Sequence, residues 1–296
     1  MSTNGKHSSE APVCCVAIPV NSREATTARV NVRLRILRKK VAAGLDHLGV
    51  GSVLYALWLR ASRSMHHRRS LRFYSQFIRP GDLVFDVGAN LGDRTQLFLE
   101  LGAKVVAIEP NPVCTQELRR RFDKNPDVIV VESGVADQVG TAQLAICEEY
   151  SAVSTLSDKW QSSSRHSKRT KWSKTCTINL TTLDLLIERH GRPVFCKVDV
   201  EGFEEQVLKG LTQPITCISF EFLLEFMSDT QRCIDRLGRL GRAEFNYSIG
   251  ESMKLARNDW MSSAVLAKAL EIDMADADLW GDVYVRFTDH VRPQHP

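Results

Sequence analysis

The eight cysteines (Cys14, Cys15, Cys114, Cys147, Cys176, Cys196, Cys217 and Cys233) contain no C-x-x-C pair. That removes the spacing on which zinc ribbons and thioredoxin-type sites depend. Several sit inside apolar runs such as Pro193–Val198 and Ile215–Phe222, which reads as small core hydrophobes in a reducing compartment. Long apolar runs are lacking too. The most apolar uncharged stretch, Leu48–Leu59, falls short of the roughly 20 residues a bilayer span needs. The first residues lack a basic segment followed by a sufficient apolar one, so they make a poor secretory signal, and the expectation is a cytoplasmic chain. Charge of one sign is scarce: 39 Lys+Arg against 35 Asp+Glu leaves +4, too little to imply nucleic acid by itself. No internal repeat is found.

What is present is ordinary for a globular protein. Of 296 residues, 43% are hydrophobic and 25% charged, which excludes collagen-like, wholly disordered and disulfide-scaffold classes. The length suits about two domains, or one large α/β domain with a tail. A compact fold of this size buries ~70–75% of its unfolded surface.

Residues 1–28 are polar and aperiodic and read as a mobile tail. Residues 29–78 read as a helical extension: Leu34, Leu37, Val41, Leu45 and Leu48 recur at helical spacing, and a second helix is expected over Ser52–Ser62. This extension caps the main domain, covers a substrate or carries a contact between copies; the sequence leaves the three open. Residues 79–292 alternate strands and helices. Strands are expected at Leu83–Val87, Lys104–Ile108, Val128–Val131, Val194–Val198 and Ile215–Phe222, with a closing pair at Phe245–Ile249 and Asp282–Phe287. Helices are expected at Leu91–Leu101, from Pro112 behind an Asn111 cap, at Leu183–His190 behind Thr181 or Thr182, at Glu204–Lys209 and around Thr230–Leu240. Such alternation predicts an α/β fold, a doubly wound and mostly parallel sheet with helices on both faces. Ser162–Lys174, polar and basic, reads as an insertion loop.

The most informative stretch is V-F-D-V-G-A-N-L-G-D-R-T, from Val84 to Thr95. A strand ends at Asp86, a glycine turn follows, and a helix begins. Gly88 permits a sharp turn and close ligand approach, and Gly92 permits close packing of the helix. The amides at the helix start favour a carboxylate-bearing ligand. Dinucleotide sites use G-x-G-x-x-G, whose second glycine admits the pyrophosphate. Here Asn90 stands in that place, and Asp86 before the turn suits a sulfonium or ammonium charge better than a phosphate. S-adenosylmethionine fits those terms. Glu109 follows 21 residues after Gly88, where a carboxylate accepts hydrogen bonds from ribose hydroxyls. Pro110 and Asn111 continue that turn. For adenine the expected contributors are Ala136 and Asp137 in the loop after the third strand. Asp137 has the alternative reading of starting the turn at Gly140.

These residues resemble the FkbM-type methyltransferases, within the class I fold that uses S-adenosylmethionine. The resemblance rests on F-D-V-G-A-N-L-G (Phe85–Gly92), A-I-E-P-N-P (Ala107–Pro112), S-T-L from Ser154, T-L-D from Thr182, C-K-V-D-V-E-G-F-E (Cys196–Glu204) and V-L-K-G (Val207–Gly210). It implies a Rossmann-like, seven-stranded sheet ending in an antiparallel hairpin. It also implies O-methylation of a hydroxyl on a sugar, polyketide or other metabolite. Asp93-Arg94 departs from the family's usual bulkier or aromatic residue.

Lys197, Asp199 and Glu201 alternate at the end of a strand and so share a face. Methyl transfer to an alcohol needs in-line placement and removal of a proton. Asp199 orients or deprotonates the hydroxyl. Lys197 acts as base or stabilises an alkoxide if burial lowers its pKa. Alternatively, Asp199 and Glu201 hold a divalent cation with waters, or Glu201 and Gly202 merely open the next helix. Glu221, ending the next strand, is a weaker candidate. His66 and His67, within the basic run Arg60–Arg72, have no acidic or cysteine partner nearby in sequence and read as a solvated face. With Arg165–Lys174 they form a positive rim. Trp172 is the only aromatic in the second cluster, so single-strand base stacking is thinly supported. A methyltransferase acting on a docked macromolecule and a non-catalytic cofactor-binding domain are the competing readings.

Overall fold

The computed structural model describes residues 64–147, 154–163, 172–273 and 280–290. Contacts divide the chain into two compact units, Met1–Ser64 and Met65–Pro296; the fold below is that of the second. The expected tail, the periodic segment Val30–Leu48 and the Ser52–Ser62 helix lie outside the described residues. So do Cys14, Cys15 and the middle of the basic loop. The loop's edges differ from expectation: Ser162 and Ser163 close a helix, and Lys174 opens a strand.

A helix over residues 64–74 (α1) leads into β1 (Leu83–Val87), α2 (Asp93–Glu100), β2 (Lys104–Glu109), α3 (Pro112–Phe122) and β3 (Val128–Glu132). Then come β4 (Gly134–Val135), β5 (Gly140–Ile146), α4 (Asp158–Ser163), β6 (Lys174–Thr181) and α5 (Leu183–His190). The chain continues through β7 (Phe195–Val198), α6 (Glu204–Lys209), β8 (Cys217–Leu223), α7 (Met227–Gly238), β9 (Ala243–Ile249), α8 (Ser263–Asp273) and β10 (Trp280–Phe287). Seven strands form one sheet in the order β3-β2-β1-β7-β8-β10-β9. The first five are parallel, and β10 runs antiparallel to both β8 and β9. The order reverses between β1 and β7, and the clefts of doubly wound sheets open beyond the carboxyl ends at such a point. A second sheet, β4-β6-β5, was not anticipated.

Local chemistry sets several element ends. The Asn111 side chain accepts the Val113 amide with Pro112 at the first helical turn, and Thr182 accepts the Leu185 amide. Gly210 ends α6, where a Cβ would lie 2.2 Å from the Ala136 carbonyl oxygen.

The central strands are buried along nearly their whole length, as parallel strands covered on both faces must be. On one face Phe85, Val87, Val198 and Phe220 pack against Leu186, Leu208, Ile234 and Leu237 of α5, α6 and α7. On the other, Val84, Val105, Phe195 and Tyr284 meet Phe73, Tyr74, Leu97 and Phe98. Phe77 stacks on both Phe195 and Tyr284, so the segment entering β1 belongs to this core. Five of the six described cysteines are buried, and all six are free thiols. Among the described residues no helix is long and apolar enough to cross a membrane.

Candidate functional site

A cleft opens at the carboxyl edge of β1, β2 and β7. Gly88, Asn90, Glu109, Pro110, Asp199 and Glu201 line it. The small sheet and its approaches add Ser133–Val135, Leu144 and Ser154–Leu156, while Val200 and Phe203 follow β7. Of these, Ser133–Val135, Leu144, Val200 and Phe203 were not foreseen. S-T-L carried part of the family resemblance, yet nothing in its spacing placed it in the cleft.

Glu109 sits at the centre of the floor and is 7% exposed. One oxygen accepts the Asn90 amide and the other the Asn111 amide, each at 2.8 Å. Each oxygen has a second lone pair, so the carboxylate can accept two further donors. Burial pushes its pKa up to about 7 against those two amides. Asn90 itself stands in the left-handed region at φ 48°. Its amide is taken by Glu109, so it does not point outward as the amide of a pyrophosphate cradle does.

Asp86 is corrected. Its side chain is not on the cleft wall. It is 1% exposed and accepts the Thr95 hydroxyl at 2.6 Å. Burial raises its pKa, with Thr95 opposing. It ties β1 to α2 from beneath, and among the carboxylates of β1 and β2 it is Glu109 that lines the cleft. Gly88, at φ 82°, has a different neighbour from the one expected: a Cβ there would lie 1.8 Å from the Asp199 carbonyl oxygen. The glycine lets two loops of the protein meet, as well as lining the cleft. Gly92 packs against Leu118 and Phe122 of α3, and Asn111 is a cap that also holds Glu109; neither lines the cleft.

Ala136 and Asp137 stand apart from the cleft lining. Ala136 is buried with its amide on the Thr181 carbonyl, and Asp137 is exposed in the bend before Gly140. The cleft residues from this loop are Ser133, Gly134 and Val135, because pairing of β4 with β6 turns the chain away directly after Val135.

The cleft also holds a cluster of acids at the end of β7. Lys197 is 2% exposed, and its ammonium donates to Asp199 Oδ2 at 2.9 Å and Asp282 Oδ1 at 3.3 Å. Burial works to lower its pKa, but the two carboxylates hold it well above the ordinary value. Its pairing with two carboxylates favours the ammonium form, the opposite of the lowered pKa that a lysine base requires. Burial would raise Asp199, yet the Lys197 ammonium keeps its carboxyl below the usual range. Glu201 faces the cleft at φ 55°. Burial first, then the Asp199 and Glu204 charges, push it well above the usual range. Glu204 accepts the amides of Val200 and Gly202 and so closes the loop between β7 and α6. The Thr155 hydroxyl donates to the Glu201 carbonyl at 2.7 Å. This bond links the S-T-L segment to that loop. Gly202, at φ 89°, lies against Trp160, which would stand 2.8 Å from a Cβ.

The remaining motifs are structural. Asp184 of T-L-D accepts both the amide and the hydroxyl of Thr212. Arg94 Nη2 donates to both carboxylate oxygens of Glu251 and the guanidinium lies over the Tyr74 ring, so the Asp93-Arg94 departure serves packing. His67 meets Glu100 at 2.7 Å and His66 meets Glu251 at 3.6 Å. Their acidic partners come from elsewhere in the fold, where sequence proximity could not show them.

Residues 86–241 match the family model described as the methyltransferase FkbM domain. A hexuronic acid methyltransferase, AglP, from Haloferax volcanii is 30% identical over 142 residues, 47% of this chain and 54% of that protein. The chain thus matches about half the length of that curated relative. Among solved structures, a precorrin-6y C5,15-methyltransferase from Geobacter metallireducens aligns with a TM-score of 0.40 and 9% identity, over 74% of this chain and 87% of that one. A TehB-like SAM-dependent methyltransferase from Corynebacterium glutamicum aligns with a TM-score of 0.38 and 11% identity, over 79% and 99%.

Proposed function

The chain belongs to the methyltransferase FkbM domain family, and on that premise we propose that it transfers the methyl group of S-adenosylmethionine to a hydroxyl of a sugar or similar small metabolite. The observation that carries this reading is Glu109, held between two backbone amides with a lone pair of each oxygen left for a diol. A ribose presents two adjacent hydroxyl donors, and a buried carboxylate is their natural acceptor. Gly88 and Asn90 form the wall beside it. Ser133, Gly134 and Val135 offer the surface for the base.

When bound, S-adenosylmethionine supplies an electrophilic methyl on a sulfonium. The chain's part is to place an acceptor oxygen in line and to take up its proton. Asp199 and Glu201 are the carboxylates on the cleft's β7 edge. Asp199 is kept ionised by Lys197; it orients the hydroxyl and accepts its proton as the methyl leaves the sulfonium. The relative named for hexuronic acid supports a sugar as acceptor class.

The test is methyl transfer from labelled S-adenosylmethionine to a panel of uronic and neutral sugars. Asp199→Asn is expected to lower turnover about 100-fold or more while S-adenosylhomocysteine still binds. Unchanged turnover in that variant, or no label in any sugar, would overturn the assignment of edge or acceptor.

A further inference from the structure

Glu221 closes the loop side of β8 and lines a smaller cavity with Trp160, Gly202 and Glu204. Its Oε2 is shut off from solvent and accepts no hydrogen bond. A buried carboxylate oxygen without a donor is costly, and native structures rarely tolerate one without a ligand to meet it. Its surroundings make matters worse: Asp199, Glu201, Glu204 and Asp282 all act on it with the same sign of charge. The ammonium among them, Lys197, is already engaged by Asp199 and Asp282.

Geometry supplies the other half. One carboxylate oxygen each from Asp199, Glu201 and Glu221 can be chosen so that all three lie within 4.8 Å of one another. Two oxygens bound to one ion can be at most about 5 Å apart at Ca2+ bond lengths and about 4 Å at those of Mg2+, so the larger ion fits as the side chains stand and the smaller one draws them together. The three residues come from the end of β7, the loop after it and the end of β8, so the fold brings them together from separate places in the chain. Lys197 takes Asp199 Oδ2, and the other oxygen of that carboxylate remains available.

We propose that Asp199, Glu201 and Glu221 bind one hard divalent cation of the Mg2+, Mn2+ or Ca2+ class at the edge of the cleft. Two of its ligands line the cleft and the third anchors it from behind. Remaining positions fall to water or to oxygens of the acceptor, as hard cations with few protein ligands require. An ion here would let an acidic sugar approach an edge that otherwise repels it. Binding of the ion stands on the coordinates alone; its use in methyl transfer rests on the function proposed above.

The experiment titrates Mn2+ into the full chain, following free Mn2+ by electron paramagnetic resonance and the melting temperature in parallel. One ion per chain is expected, with a rise in melting temperature. Glu221→Gln removes the anchoring charge and is expected to weaken Mn2+ binding at least tenfold. Without metal this variant should melt no lower than the parent, because the Glu221 carboxyl is crowded by like charges and its Oε2 has no donor; that excludes misfolding as the cause. No saturable Mn2+ binding up to millimolar concentration, or equal binding by Glu221→Gln, would overturn the proposal. S-adenosylhomocysteine is titrated separately in chelator. Binding there with no Mn2+ binding sinks the cation site alone, and the reverse sinks the cofactor reading alone.

Discussion

Glu109 owes its raised pKa to burial, and that has a consequence for ligand binding. Only the ionised form accepts two hydroxyls, so a ligand with a diol lowers its pKa and drives a proton off. With a folded value of about 7, S-adenosylhomocysteine affinity should rise from pH 6 to pH 8, by up to about tenfold per unit below the pKa. Glu109→Gln should remove most of that dependence in calorimetric titrations at several pH values. Gly88 makes a second prediction. Gly88→Ala puts a Cβ against the Asp199 carbonyl at a positive φ, so about 3 kcal/mol or more of stability should be lost in denaturant titration. Gly92→Ala meets the side chains of Leu118 and Phe122, which can shift, and should cost less. At this scale the sequence was legible where a residue's role depended on its neighbours in the chain. Asn111 and Thr182 caps were readable for that reason. Asp86 and Lys197 were not, because only the fold reveals that Asp86 meets Thr95 and that Lys197 meets Asp282 on a distant strand.

Elements carry the site by their ends. The strands β1, β2 and β7 were legible as short apolar runs, and glycines marked their turns. The small sheet was missed although β6 alternates polar and apolar residues, the pattern of a half-buried strand. Its partner β5 begins with Gly140 and carries little such signal. The omission matters, since β4 decides that Ser133–Val135 face the cleft and Ala136 does not. The T-L-D motif acts here as well: Thr182 caps α5, and Asp184 pins the loop after α6. Thr182→Ala should therefore lower stability by about 1 kcal/mol and leave S-adenosylhomocysteine affinity unchanged. A loss of affinity without a loss of stability would move this motif into the cleft.

For the molecule as a whole, the two faces of the sheet divide the labour. The face under α5, α6 and α7 mixes aliphatic side chains with rings such as Phe85 and Phe220, whereas the other is a cluster of interlocking rings that includes Phe73, Tyr74 and Phe77 from before β1. The boundary expected at residue 79 would cut through that cluster. A chain shortened to begin there should unfold well below the parent temperature, since losing even one buried aromatic costs about 3–5 kcal/mol. Phe195→Ala should show a loss of that size by itself in chemical denaturation. The mostly parallel character of the sheet followed from alternation, and its seven strands and antiparallel final pair from the family resemblance; the strand order was not legible, because it depends on pairings between distant segments.

The cleft's identity as a nucleoside site rests on the Glu109 carboxylate, and isothermal titration of S-adenosylhomocysteine tests it most directly. The parent chain should bind one molecule, and Glu109→Ala should bind it at least tenfold more weakly while melting as a folded protein. Failure of the parent to bind, or equal affinity in the variant, would contradict it.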